Sequence, residues 1–115
     1  MEDRERMTFA NLISVYTNAT GCITSEHFME HAAMSAYHQD LTHGAGLLTV
    51  PKVFYEFFIE KHACDERFIQ MAKAIGVTDA SRPEDFITAL VKLQEDCGVA
   101  DLKISEYCDN FTLIH

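Results

Sequence analysis

An all-α fold, a helical bundle, is predicted for this chain, and three observations predict it. Two prolines and five glycines are spread over 115 residues, which leaves long stretches free of helix breakers. Apolar residues recur every three or four positions through most of the chain. No segment alternates apolar and polar residues in the manner of a half-buried strand. With no Pro/Gly/Ser-rich linker, low-complexity segment or internal repeat, residues 1–115 read as a single domain.

The elements follow in order. Met7, Phe9, Leu12, Ile13 and Tyr16 share one helical face, and residues 18–21 break the pattern. A second helix starts at Thr24 or Ser25, either of which can cap it. One stripe of it carries His27 and Met34, beside Phe28, His31 and Ser35, while the small residues Ala32, Ala33, Ser35 and Ala36 would admit a close neighbour. Residues 37–42 read as a loop leading into His43-Gly44-Ala45-Gly46. An apolar run then extends to Ile59. A strand over residues 47–50 competes there, but Phe54, Tyr55, Phe57 and Phe58 favour a buried helix with a bend at Pro51.

Asp65 is expected to cap a short helix carrying Phe68, Ile69, Met71, Ala72 and Ile75, with Gly76 as the residue just past its end. Ser81-Arg82-Pro83-Glu84 has the form of a capping box. The helix it opens carries Phe86, Ile87, Leu90 and Leu93 and ends before Gly98. Ser105 can start one more turn, and the last segment reads as cut short.

Composition removes several function classes. Nine Lys and Arg against eighteen Asp and Glu give a net charge of −9, a surface that repels phosphate backbones, so no nucleic-acid partner is expected. No apolar run approaches the roughly 20 residues of a membrane span, and no signal peptide is expected behind the charged N-terminus. No membrane partner is expected either. Cys22, Cys64, Cys97 and Cys108 form no Cys-x-x-Cys pair, which reads as reduced thiols in a cytoplasmic protein. Of these, Cys22 and Cys97 fit buried small hydrophobes. The aromatic cluster at 54–58 reads as core, with a surface for a further domain or a homo-oligomer as the alternative.

The chemistry lies in the histidines, four of which fall between positions 27 and 43. His27 and His31 are one helical turn apart and face the same way, so they can share a divalent metal, or one can bind it while the other faces a substrate. Taken alone, such a pair is more often structural or solvated, because imidazole also packs and hydrogen-bonds well at a helix interface. His43 stands sixteen residues after His27, directly before Gly44 and Gly46, where glycine permits close backbone approach. Glu30 can orient a ligand, though a helix-surface glutamate is the simpler reading. His38 is read as a loop residue.

The stretch His27-Phe28-Met29-Glu30-His31-Ala32-Ala33-Met34-Ser35-Ala36-Tyr37, followed by Asp40-Leu41-Thr42-His43-Gly44-Ala45-Gly46-Leu47, resembles the C-terminal helical domain of the iron-containing (group III) alcohol dehydrogenases. The likeness extends through Pro51, through Asp65-Glu66-Arg67-Phe68 to Met71-Ala72-Lys73-Ala74-Ile75-Gly76, and through Phe86 to Asp101, nearly the whole chain. The resemblance implies His27 and His43 as metal ligands and His31 as a proton-relay residue beside the metal. It implies a divalent metal, iron first with zinc or nickel as alternatives. It also implies reversible hydride transfer between a small alcohol or aldehyde and NAD or NADP. Two things depart from the family. No Asp-x-x-x-His, which supplies the family's other two ligands, occurs in these 115 residues, and no Gly-Gly-Gly-Ser phosphate loop does. The chain thus resembles one domain of a two-domain enzyme, without the dinucleotide domain and inactive on its own. The alternative is a stand-alone helical module that has lost catalysis and acts through self-association or a partner.

Overall fold

A computed structural model describes residues 1–21, 23–37, 42–103 and 106 of the chain, with residues 33–37 as backbone. Among the described residues there are six helices and no strand: α1 Glu2–Thr20, α2 Ser25–Tyr37, α3 His43–Thr49, α4 Pro51–Glu60, α5 Asp65–Ala74 and α6 Glu84–Asp96. The all-α class is therefore observed. No helix among these residues is long and apolar enough to cross a membrane. The sequence readings of Cys22, His38 and Ser105, and of the side chains of Ala33, Met34, Ser35 and Ala36, lie outside what is described.

The core is built by α4, α5 and α6. Ile59, Phe68, Ala72, Ala80 and Phe86 are buried together, with Tyr55, Phe58, Ile69, Met71, Val77, Ile87 and Leu90 packed against them. The rings of Phe68 and Phe86 lie 5.8 Å apart and Tyr55 meets both at 5.9 and 5.3 Å, distances at which aromatic pairs add to their burial. Three residues expected in this core are exposed instead, Phe57, Ile75 and Leu93. On α6 the buried stripe runs through Phe86, Leu90 and Gln94, one turn apart, which turns Leu93 outward. Gln94 takes the inner place because its Nε2–H donates to the Leu48 carbonyl at 3.2 Å, tying α6 to the end of α3.

The helix ends show what each segment's backbone demands. Pro51 breaks the apolar run into two helices and starts α4 as its first residue, where its missing N–H costs nothing. Gly76 and Gly98 both have positive φ and both close a helix by the paired bonds of a Schellman end: Gly76 N–H to Lys73 and Val77 N–H to Ala72, Gly98 N–H to Glu95 and Val99 N–H to Gln94. His62 ends α4 in the same way at φ 51°, with its Nδ1 2.9 Å from Asp65 Oδ2.

Two expected starts and one expected end are corrected. Asp65 is the first residue of α5 rather than its cap, a position occupied by Cys64, and its carboxylate turns back to His62. The Ser81-Arg82-Pro83-Glu84 capping box is not formed; α6 begins at Glu84, and Asp85 accepts the backbone N–H groups of Ser81 and Arg82, each at 2.9 Å. Those two donors hold the Asp85 carboxyl below its usual range, with Arg82's backbone contribution the larger. The first helix runs from Glu2 through residues 18–20, which were expected to break it, with Glu2, Asp3 and Glu5 at its positive end.

Burial corrects two further readings. Cys97 is exposed, as is Cys64. Nothing on α1 is buried: Met7, Phe9, Leu12, Ile13, Val15 and Tyr16 all face outward. The principal packed pairs are α5 with α6, α2 with α3, α4 with α6 and α3 with α4.

Candidate metal centre

Over residues 25–32, where its side chains are described, α2 is turned inside out relative to an ordinary amphipathic helix: the buried residues there are Glu26 and Glu30, one turn apart, while Phe28, Met29 and Ala32 are exposed. Taking a carboxylate from water costs several kcal/mol unless it is hydrogen-bonded, so each must have a partner. Glu26 Oε2 accepts the Tyr55 hydroxyl of α4 at 2.9 Å. Glu30, only 2% exposed, places Oε2 2.6 Å from Nδ1 of His43, the first residue of α3. The reading of Glu30 as a surface glutamate is thus overturned, because the α2 face that meets α3 and α4 is the carboxylate face.

Gly46 lets this happen. A Cβ built there would stand 2.6 Å from Glu30 Oε1 and 3.0 Å from its Cγ, so the glycine of α3 is the floor on which the carboxylate rests. Gly44, by contrast, has open space around it. Glu30 Oε1 is buried with no hydrogen-bond partner among the described residues, which leaves the group dependent on its one bond to His43. The environment of Tyr55 tells the same story at the other carboxylate. Burial first, and then the Glu26 charge and hydrogen bond, push the phenol well above its ordinary range.

The stripe of α2 next to these carboxylates carries His27 and His31. Their Nε2 atoms lie 2.9 Å apart, close enough for one Nε2–H to donate to the other's lone pair. His43 joins them from α3, its ring centroid 4.7 Å from that of His27 and 4.9 Å from that of His31. Each of the three offers a ring nitrogen, and the three nitrogens all lie within 4.8 Å of one another. The residues singled out from sequence therefore converge on one point. His27 is half-buried and His31 and His43 are exposed, so the point is open to solvent on one side. Two apolar grooves of about 560 and 360 Å³ run along α4, and neither is lined by these histidines.

The donor set fits a divalent transition metal. Neutral imidazole suits zinc, nickel and iron, and two ligand nitrogens on a tetrahedral ion stand about 3.3 Å apart, between the 2.9 Å that separates His27 from His31 and the 4.8 Å that bounds all three. A carboxylate on the far nitrogen of a ligating histidine fixes its tautomer and raises its basicity, and Glu30 stands in that relation to His43. Sequence reasoning missed Glu26 and undervalued Glu30, yet a signal was present. The dipeptide Glu-His occurs at 26–27 and again at 30–31, one helical turn on, which places two carboxylates and two imidazoles on adjoining stripes.

No family model matches the chain, and no curated protein or solved structure matches it.

Proposed function

We propose that this chain is a metal-binding helical domain of an iron-type, NAD(P)-dependent alcohol dehydrogenase, acting in the cytoplasm on a small alcohol or aldehyde. The observation that supports the reading is the meeting of His27, His31 and His43 at one solvent-facing point. His27 and His43 are the ligands of the domain, and Glu30 holds the His43 ring in the orientation that leaves its outer nitrogen free. A bound divalent ion, iron first and zinc or nickel as alternatives, supplies Lewis acidity toward the alcohol oxygen. His31, exposed beside them, passes a proton between the alcohol and water, a task imidazole performs as a general acid and base. The 115 residues contain no phosphate-binding Gly-rich loop and no Asp-x-x-x-His. They do not fit a nicotinamide on their own, and the isolated chain is inactive.

Metal analysis of the purified chain tests this. Wild type retains a divalent ion and the His27→Ala/His43→Ala double variant loses it, while neither turns over butanol with NAD or NADP. Equal metal content in both would refute the reading. A second reading, a stand-alone helical module, is favoured by α1, whose 19 residues bury nothing and expose six apolar side chains. On that reading the chain sediments as an oligomer, and removal of residues 2–20 makes it a monomer.

A further inference from the structure

We infer that the chain by itself holds one divalent transition-metal ion on three imidazoles, with His31 as the third ligand and Glu30 as the positioning residue that sets His43. The inference rests on the metal-binding reading above and changes its ligand set: His31 gives its lone pair to the ion instead of relaying a proton.

Three observations carry it. The first is proximity. His31 Nε2 is 2.9 Å from His27 Nε2, so an ion taken by one of these nitrogens has the other within reach. The three nitrogens fall within 4.8 Å, and three protein ligands with an open fourth position form the arrangement of catalytic zinc sites. The second is Glu30. A carboxylate 2% exposed, whose polar partner among the described residues is His43, is expensive to bury unless it acts on that ring. By accepting the proton on Nδ1 it leaves the lone pair of His43 on Nε2, the nitrogen that can take an ion. The third is Gly46, since any side chain there would meet Glu30 and push it off His43. Carboxylate, glycine and imidazoles are thus one assembly among the described residues, spanning α2 and α3. Ligand chemistry points to zinc, nickel, cobalt or ferrous iron, with a water or a small oxygen ligand at the open position.

Calorimetric titration of the metal-free 115-residue chain with Zn²⁺, with far-UV circular dichroism to check folding, decides the matter. Wild type binds one equivalent. His27→Ala, His31→Ala and His43→Ala each weaken binding at least tenfold, and His62→Ala, on an exposed histidine at the end of α4, leaves it unchanged. Glu30→Gln, which keeps the size of the side chain, weakens binding about 10- to 100-fold. Nitrogen NMR then shows His43 losing its preference for the Nδ1–H tautomer, a signature that loss of packing alone would not produce. Zinc binding by His31→Ala at wild-type strength would overturn the inference and leave the two-ligand reading standing. Unchanged binding in the His27 and His43 variants as well would remove both. No zinc uptake by wild type would overturn the claim that the chain by itself holds the ion.

Discussion

Gly46→Ala and Gly44→Ala make a matched pair, because both residues lie in the first turns of α3 and differ in what surrounds them. Replacing a helical glycine by alanine stabilises a helix by roughly 0.8–1 kcal/mol. At Gly44 nothing stands within 4 Å of the added methyl, so that gain is expected nearly in full. At Gly46 the methyl would stand 2.6 Å from Glu30 Oε1 and within 3.2 Å of its Cδ. The carboxylate cannot yield freely, since it is buried and anchored to His43 Nδ1. Overpacking of this kind costs about 1–3 kcal/mol, which exceeds the propensity gain and leaves a net loss of up to about 2 kcal/mol. Urea denaturation of the two variants beside wild type measures it, and the midpoints should move in opposite directions. A Gly46→Ala variant as stable as Gly44→Ala would mean that Glu30 does not rest on α3, and the reasoning about the site would fall with it.

Phe86→Ala removes the ring that meets both Phe68 and Tyr55 and should cost about 3–5 kcal/mol by urea denaturation; a loss under about 1 kcal/mol would contradict the core described. Tyr55→Phe deletes the hydroxyl that Glu26 accepts and should cost about 1–3 kcal/mol at neutral pH. The folded-state phenol is raised above its ordinary value of 10.0, so wild-type stability holds below that pH and declines as pH rises beyond it. The Phe variant should show a flatter alkaline limb in thermal melts. Asp85 has the opposite sign. Its folded-state pKa is lowered, so its contribution is intact above the ordinary carboxylate range and is lost as pH falls through the folded value. Asp85→Asn should flatten the acid limb of the melting temperature, and an unchanged acid limb would show that the Ser81 and Arg82 bonds do not act in solution.

The helical class and most helix ends were legible because they follow from local chemistry. Gly76 and Gly98 stop a helix by taking a conformation other residues resist, whereas at Pro51 a bend was expected and two separate helices are found, because proline lacks the N–H that would continue the first and suits the first position of the second. The helix caps were half legible. The Ser-x-x-Glu pattern marked the right neighbourhood of α6, but the carboxylate one residue later had the better reach to two open N–H groups. Burial was the least legible. Periodicity shows that Phe9, Leu12, Ile13 and Tyr16 share a face without showing whether anything covers it. It likewise cannot tell that Leu93 yields its place to Gln94, a choice set by a carbonyl 46 residues away. At the site, His27 and His31 were found by their spacing and His43 by its glycines. Glu30 was seen and set aside, because the rule that carboxylates face water fails where another helix brings a partner.

The carboxylates buried on the first turns of α2 separate the durability of the site from that of the core. Helices α4, α5 and α6 cohere through aromatic contact, whereas α2 is moored by two carboxylates, one to a phenol and one to an imidazole. Moorings of that kind can slip without loosening the aromatic body. Amide protons of α2 should then exchange through a partial opening well before those of α5 and α6, in the graded order by which proteins come apart in pieces. An ion fastening α2 to α3 would close that gap, so the exchange rate of one helix becomes a gauge of how much free metal surrounds the chain.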